Sequence, residues 1–117
     1  MGMGKRKAPE RDIHRAVVDH LRRRALPGVL WFHVHNNPRN PIAGAMLKAM
    51  GMLAGVSDIL IFHNREFFAL ELKAPGGRPT VAQLEFQSRV RANGGHAIVA
   101  EGLDEAIGCL SLWGLFR

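Results

Sequence analysis

Residues 57–73 read SDILIFHNREFFALELK, and the reading of this stretch decides the fold. Two apolar runs, 57–63 and 67–73, are set around Asn64-Arg65-Glu66, which is the pattern of a β-hairpin. Their unbroken hydrophobic character predicts strands covered on both faces. A turn centred on Asn64-Arg65 places Asp58 directly across from Glu71, with both side chains on one face. The Cβ atoms of such a pair lie about 4.5 to 5.5 Å apart, so two like charges repel there unless something neutralises them. Lys73, two residues beyond Glu71, shares that face and lies diagonal to Asp58.

Paired carboxylates suit Mg²⁺ or Mn²⁺, hard ions that prefer oxygen ligands and retain waters, one of which can become a nucleophile. A lysine beside that water and a phosphate can orient or deprotonate the nucleophile and offset charge developing in the transition state. The bland alternative makes Asp58 a strand-end cap, Glu71 and Lys73 an ordinary edge-strand pair, and Glu10 a complement to a helix dipole. The setting weighs against it. Strands carrying Ile59, Leu60, Ile61, Phe62, Ala69, Leu70 and Leu72 read as buried, and charge in buried strands is costly without a task.

Outward from the hairpin, residues 10–25 place Ile13, Val17 and Leu21 on one helical stripe, ended by Pro27-Gly28. Glu10 lies one turn before Ile13 on that stripe, in position to add a carboxylate to the same ion. Residues 29–35, VLWFHVH, read as a strand and 36–41 as a loop. Asn40-Pro41 then opens a helix whose Ile42, Met46, Met50 and Leu53 continue to a stop at Gly55, with Gly44 and Gly51 as weak points. Thr80 and Gln83 stand in the capping-box relation at the start of a helix that runs to Asn93 before Gly94-Gly95. HAIVAE, 96–101, reads as a strand. A closing helix from Leu103 to about Leu115 has Ala106, Ile107, Leu110 and Trp113 as its apolar side. The order αβαββαβα predicts an α/β fold with a mixed central sheet flanked by helices.

The chain of 117 residues suits one domain, expected over 10–117, behind a basic, flexible N-terminus over 1–9. No apolar run approaches the roughly 20 residues of a membrane span, and the N-terminus lacks the apolar core of a secretory signal, so the expectation is a cytoplasmic protein without a membrane partner. The single cysteine, Cys109, excludes an internal disulfide and a CxxC-type zinc site, and is expected to be a small core residue. A net charge of +6 and a pI near 10.7 suit a phosphate-rich partner, a nucleic acid above all. Before residue 50, Lys5, Arg6, Lys7, Arg11, Arg15, Arg22, Arg23, Arg24, Arg39 and Lys48 face only Glu10, Asp12 and Asp19. The Arg22-Arg23-Arg24 cluster and Lys48 are the candidate phosphate contacts, against the bland reading of a solvated basic surface.

GVSDILIF followed by FFALELKAPGGRPTVAQ resembles the (S/P)D…ExK…Q pattern of the PD-(D/E)xK nuclease superfamily, and within it the VRR-NUC family. ERDIHRAVVDHL is similar to that family's first helix with its acidic residue, FHVHNNP to the segment containing its Asn, and MLKAMGMLAGVSD to its approach to the catalytic aspartate. The likeness spans most of residues 10–101 in the expected order. It implies a restriction-endonuclease-like core and a DNA endonuclease using Mg²⁺ or Mn²⁺. Asp58 and Glu71 would be metal ligands, with Leu72 through its backbone carbonyl and Glu10 as an accessory. Lys73 would be the catalytic lysine and Gln83 the helix glutamine near the site, although Gln83 also has the capping role above. Asn36 and Lys48 would face DNA. Ser57 occupies the place of the proline in the superfamily name, a position that varies within VRR-NUC proteins. The chain is similar to short stand-alone members from phage and bacterial contexts, which implies a homodimer acting on branched DNA such as a four-way junction.

Rival readings rest on other residues. His33 and His35 alternate on one strand face ahead of Asn36-Asn37 and invite a zinc or HNH-type site, but no cysteine pair or suitably placed helical histidine completes one. A non-catalytic nucleic-acid-binding module would use the basic surface alone, yet paired carboxylates repel phosphate and binding does not need them. A structural subunit finds support only in Met46, Met50 and Met52, and methionine at helical spacing is usually core or a dimer face.

Overall fold

A computed structural model of the chain describes residues 9–35 and 40–117. The expected basic N-terminus up to Ala8 and the candidate contact Asn36 lie outside those residues. The elements follow the expected order: α1 (Glu10–Arg24), β1 (Leu30–His33), α2 (Pro41–Ala49), β2 (Ile59–His63), β3 (Glu66–Lys73), α3 (Val81–Ala92), β4 (His96–Glu101) and α4 (Leu103–Leu112). They form one mixed sheet in the order β1-β2-β3-β4, antiparallel except for the parallel pair β3-β4.

The hairpin turns on two residues. Asn64 and Arg65 have φ of 50° and 66°, as a two-residue turn with both centres left-handed requires, and His63 pairs with Glu66 across it. From there the register runs through Ile61 with Phe68 to Ile59 with Leu70. Asp58 therefore comes opposite Glu71 one step beyond the last paired residues.

Alternation along the strands sends Ile59, Ile61, Phe68, Leu70 and Leu72 to one face, where they pack with Ile13, Val17 and Leu21 of α1 and with Ala106, Cys109 and Leu110 of α4. The stripe read on α1 and the buried place expected for Cys109 are both found. The other face is covered by α3, which connects the parallel strands β3 and β4 and packs chiefly on them. The expectation that both hairpin strands are covered on both faces is therefore corrected: Phe62 is 42% and Phe32 41% exposed, because a crossover helix shields the strands it joins and not those beyond them. There, Phe62 stacks on Phe67 with ring centroids 4.8 Å apart, and on Phe32 at 6.3 Å.

Two further boundaries differ. The strand expected over 29–35 is confined to Leu30–His33, so His35 lies beyond it. The helix expected to continue to Gly55 ends at Ala49, with Met50 as its C-cap and Gly51 at φ 99°. Asn40 caps its start by accepting the Ala43 N–H at 2.8 Å. None of its residues is buried, and Ile42, Met46 and Met50 are more than half exposed, which removes the core reading of Met46 and Met50 within one chain. Likewise α4 stops at Leu112, and Ile107 and Trp113 are only half-buried.

Gly55 leads the chain into the hairpin with φ 81°, and a Cβ there would collide with the Ala82 carbonyl and the Gln83 N–H on the first turn of α3. The absence of a side chain lets this segment lie directly against that helix. Gly55→Ala is expected to cost about 2 kcal/mol or more in chemical denaturation, from strained backbone and overpacking together. A loss below about 0.5 kcal/mol, the range of an ordinary surface change, would contradict the close approach.

Candidate active site

The site lies at the end of the sheet where β2 and β3 part. Were the ladder to continue past Ile59 and Leu70, the Leu72 N–H would next bond to backbone; instead it donates to Asp58 Oδ2 at 2.8 Å. The Asp58 carbonyl in turn accepts from the Val34 N–H at 2.9 Å and from His33 Nδ1 at 3.0 Å. Asp58 is therefore held from both neighbouring strands. Its capping role at the strand end is real, and it leaves one carboxylate oxygen, Oδ1, outside that bond. A residue in a strand directs its N–H and C=O to the same lateral side, so the Leu72 carbonyl also faces the gap that Asp58 fills.

Glu71 is 2% exposed. Its Oε2 accepts from Gln83 Nε2 at 3.1 Å and lies 3.6 Å from Lys73 Nζ. Its Oε1 is buried with no hydrogen-bond partner. Lys73 Nζ also lies 3.8 Å from Glu10 Oε1 at the start of α1. The structure thus brings Glu10, Asp58, Glu71, Lys73 and Gln83 around one cavity of about 330 Å³, which His33 and His35 also line.

Burial above all, then the charge and closeness of the Asp58 carboxyl group, push the Glu71 pKa from 4.5 up to about 8, with Lys73 pulling it down and Glu10 adding a smaller push upward. The unpartnered Oε1 and the raised pKa come first from burial and then from the neighbouring Asp58 charge, which together leave a deficit of positive charge at the site. A hard divalent cation is chemically suited to that deficit. Among the described residues no three His, Cys, Asp or Glu side chains converge into a ready-made cage, so the fitting donor set is two carboxylates, a main-chain carbonyl and water, as Mg²⁺ prefers. The zinc reading of His33 and His35 gains nothing from this arrangement.

Gln83 is a helix cap whose side chain also reaches the site. Its Oε1 accepts the Thr80 N–H at 2.8 Å and its own N–H reaches Thr80 Oγ1 at 3.1 Å, which closes the capping box. The amide nitrogen remains for Glu71. Sequence reasoning missed Gln87, one turn further on, which is fully buried and donates to the Ile98 carbonyl at 2.7 Å and to Ser57 Oγ at 3.4 Å. Its i, i+4 spacing from Gln83 was the available signal.

The candidate phosphate contacts fare differently. Lys48 lines a hollow that also touches Gly55, beside the site. Arg22, Arg23 and Arg24 are at the far end of α1 from Glu10, about 18 Å away at 1.5 Å per residue. Nor do the three act as a cluster. Arg23 pairs with Asp19 at 3.7 Å, and Arg24 lies 4.5 Å over the Phe116 ring.

No family model and no curated protein matches the sequence. A solved structure of a "VRR_NUC domain protein" is similar with a TM-score of 0.76, at 24% identity, over 93% of this chain and 90% of that chain. The mixed four-stranded sheet flanked by four helices is therefore a fold this chain shares with that protein over nearly the full length of both.

A group whose pKa rises on folding stabilises the fold below its unfolded value and loses that contribution as pH rises through its folded value. In EDTA, the melting temperature of the wild type should fall between pH 5 and pH 9 by more than that of Glu71→Gln, which keeps an acceptor for Gln83 and removes the charge. At pH 9 the variant should melt higher, by roughly 5 °C. Parallel melting curves across this range would mean that Glu71 is not held in the state described.

Proposed function

We propose that the protein is a metal-dependent DNA endonuclease of the VRR-NUC type, with Asp58, Glu71 and Lys73 at its centre. The observation that carries this reading is the buried, half-unpartnered Glu71 carboxylate set between Asp58 and Lys73, on a fold shared with a VRR_NUC domain protein. A structural ion pair would leave no orphaned oxygen and would not need a second acid opposite.

Asp58, Glu71 and the Leu72 carbonyl would hold Mg²⁺ or Mn²⁺, with Glu10 as an accessory carboxylate. Bound there, the ion would acidify a water ligand and screen the negative oxygens of the phosphodiester. The chain's own groups do the remainder. The Leu72 N–H fixes the Asp58 carboxylate and the Gln83 amide fixes that of Glu71, so neither reorganises when charge arrives. Lys73, held between Glu71 and Glu10, donates to the scissile phosphate and the attacking water, offsetting the charge that grows on phosphate oxygens as the new P–O bond forms.

The reading extends to branched DNA, such as a four-way junction, as the preferred substrate, to a cytoplasmic setting and to a homodimer. Two copies would supply two sites for cutting two strands. The exposed apolar residues Ile42, Met46 and Met50 of α2 offer a face for that pairing. No helix among the described residues is long and apolar enough to cross a membrane.

Cleavage of labelled four-way junction, 5′ flap, nicked and linear duplex DNA in Mg²⁺, Mn²⁺ or EDTA tests the reading. Wild type should cut only with metal, and Asp58→Asn, Glu71→Gln and Lys73→Ala should each slow cutting by at least about 100-fold. Asp58→Asn retains an oxygen for the Leu72 N–H, so its loss of activity would report charge and not folding. Binding that survives EDTA with no cutting in any metal would identify the alternative, a non-catalytic nucleic-acid-binding module.

A further inference from the structure

The active-site cavity does not end at Asp58. It shares Glu10, His33 and Asp58 with a neighbouring hollow of about 420 Å³ that Arg11, His14 and Arg15 also line. That hollow shares His14, Arg15 and His33 with a third, of about 580 Å³, which reaches Arg22. Through these shared residues the three hollows adjoin one another along one side of α1, past His33 of the edge strand β1, and together they make a trough whose inner end holds the paired carboxylates.

Its charge is unspent. Arg15 and Arg22 make no ion pair among the described residues, and Arg11 has only a loose contact with Asp12 at 3.7 Å between exposed side chains. The acid within the outer hollow, Asp19, is engaged by Arg23 at 3.7 Å. Arg11, Arg15 and Arg22 are spaced four and seven apart and so share one side of the helix. The basic triplet divides accordingly: Arg22 faces the trough, while Arg23 and Arg24 are occupied elsewhere. The trough floor is also polar. His33 donates Nδ1–H to the Asp58 carbonyl, because a carbonyl can only accept, which leaves Nε2 as the acceptor nitrogen of the ring. His14 meets His33 edge-on with centroids 4.4 Å apart.

We infer that this trough is the track for the DNA strand on one side of the scissile phosphate, with Arg11, Arg15 and Arg22 as its phosphate contacts. The inference rests on the nuclease reading and gives it a direction. Guanidinium groups without a carboxylate partner are the side chains best suited to phosphate oxygens. From Arg11 to Arg22 the helix rises about 16 Å, which corresponds to about five nucleotides at 3.4 Å each. The strand is thus gripped for about five nucleotides on one side of the cut.

Fluorescence anisotropy with a labelled 30-base-pair duplex in EDTA separates this track from general basicity. Arg15→Ala/Arg22→Ala should weaken binding by about tenfold or more and lower the slope of log K against log salt by about 2. Arg65→Asn/Arg89→Ala, an equal loss of exposed charge on other elements, should change affinity by less than about threefold. Equal losses in the two double variants would overturn the track. A second readout is cleavage of duplexes trimmed to different lengths on either side of the cut. Wild type should slow once fewer than about five nucleotides remain on one side only, and the trough variant should lose that asymmetry. If wild type cuts while Arg15→Ala/Arg22→Ala binds and cuts as it does, the track fails and the nuclease reading survives. If wild type cuts nothing and the trough variant alone loses binding, the nuclease reading fails and the trough remains the nucleic-acid site.

Discussion

The Asp58 carboxylate accepts the Leu72 N–H at the point where two antiparallel strands separate. That bond lets β2 leave β3 without stranding a backbone donor, and it brings an acidic side chain into the plane of the sheet beside Glu71. Everything else at the site is arranged around it. The register on which it depends is set at the opposite end of the hairpin, by the left-handed pair Asn64-Arg65. A slip of one residue would turn Asp58 away from the face of Glu71 and Lys73, so turn conformation and site geometry are one constraint.

The consequence is a concentration of negative charge that the fold itself does not neutralise. Lys73 offsets part of it, and burial together with the Asp58 charge still raises the Glu71 pKa. Such a site weakens the fold in the absence of a cation, and the surrounding structure bears that cost through rigid supports: the capping box that orients Gln83, the glycine that admits the chain at residue 55, and the buried Ser57–Gln87 contact beneath. The last two join α3 to the segment leading into β2. They are the reason both acids keep their positions while repelling each other.

The hairpin, its register, the α1 stripe and the capping box were legible because each depends on residues close in sequence and on a simple period. What was not legible depends on tertiary cover. Apolar runs cannot reveal that a crossover helix will shield β3 and leave Phe62 on β2 exposed. The helix after Asn40 reads on to Gly55 by its periodicity, yet Gly51 ends it, since the apolar residues have no packed surface to hold them in further turns. Asp58 could be read as a strand-end cap, but its partner, the Leu72 N–H, could not, because that bond depends on where the two strands part. Three consecutive arginines look like one patch. On a helix they point 100° apart, and their neighbours Asp19, His20 and Phe116 decide which remains available.

On the proposed nuclease reading, paired carboxylates repel the phosphate they would act upon, so affinity for a polyanion must come from outside the site. Among the described residues, Arg15 and Arg22 on α1 carry unpaired charge in the hollows beside the site, and α1 also carries Glu10, which contacts Lys73. A helix of four turns is stiff on the scale of these distances. Phosphate engaged by Arg15 and Arg22 therefore bears on the same rigid body that positions the lysine. His33 joins the two regions, its ring lining the trough while its Nδ1 holds the main chain of Asp58. On the proposed reading, binding along the trough and alignment of the reacting groups would be mechanically linked through two elements, α1 and β1.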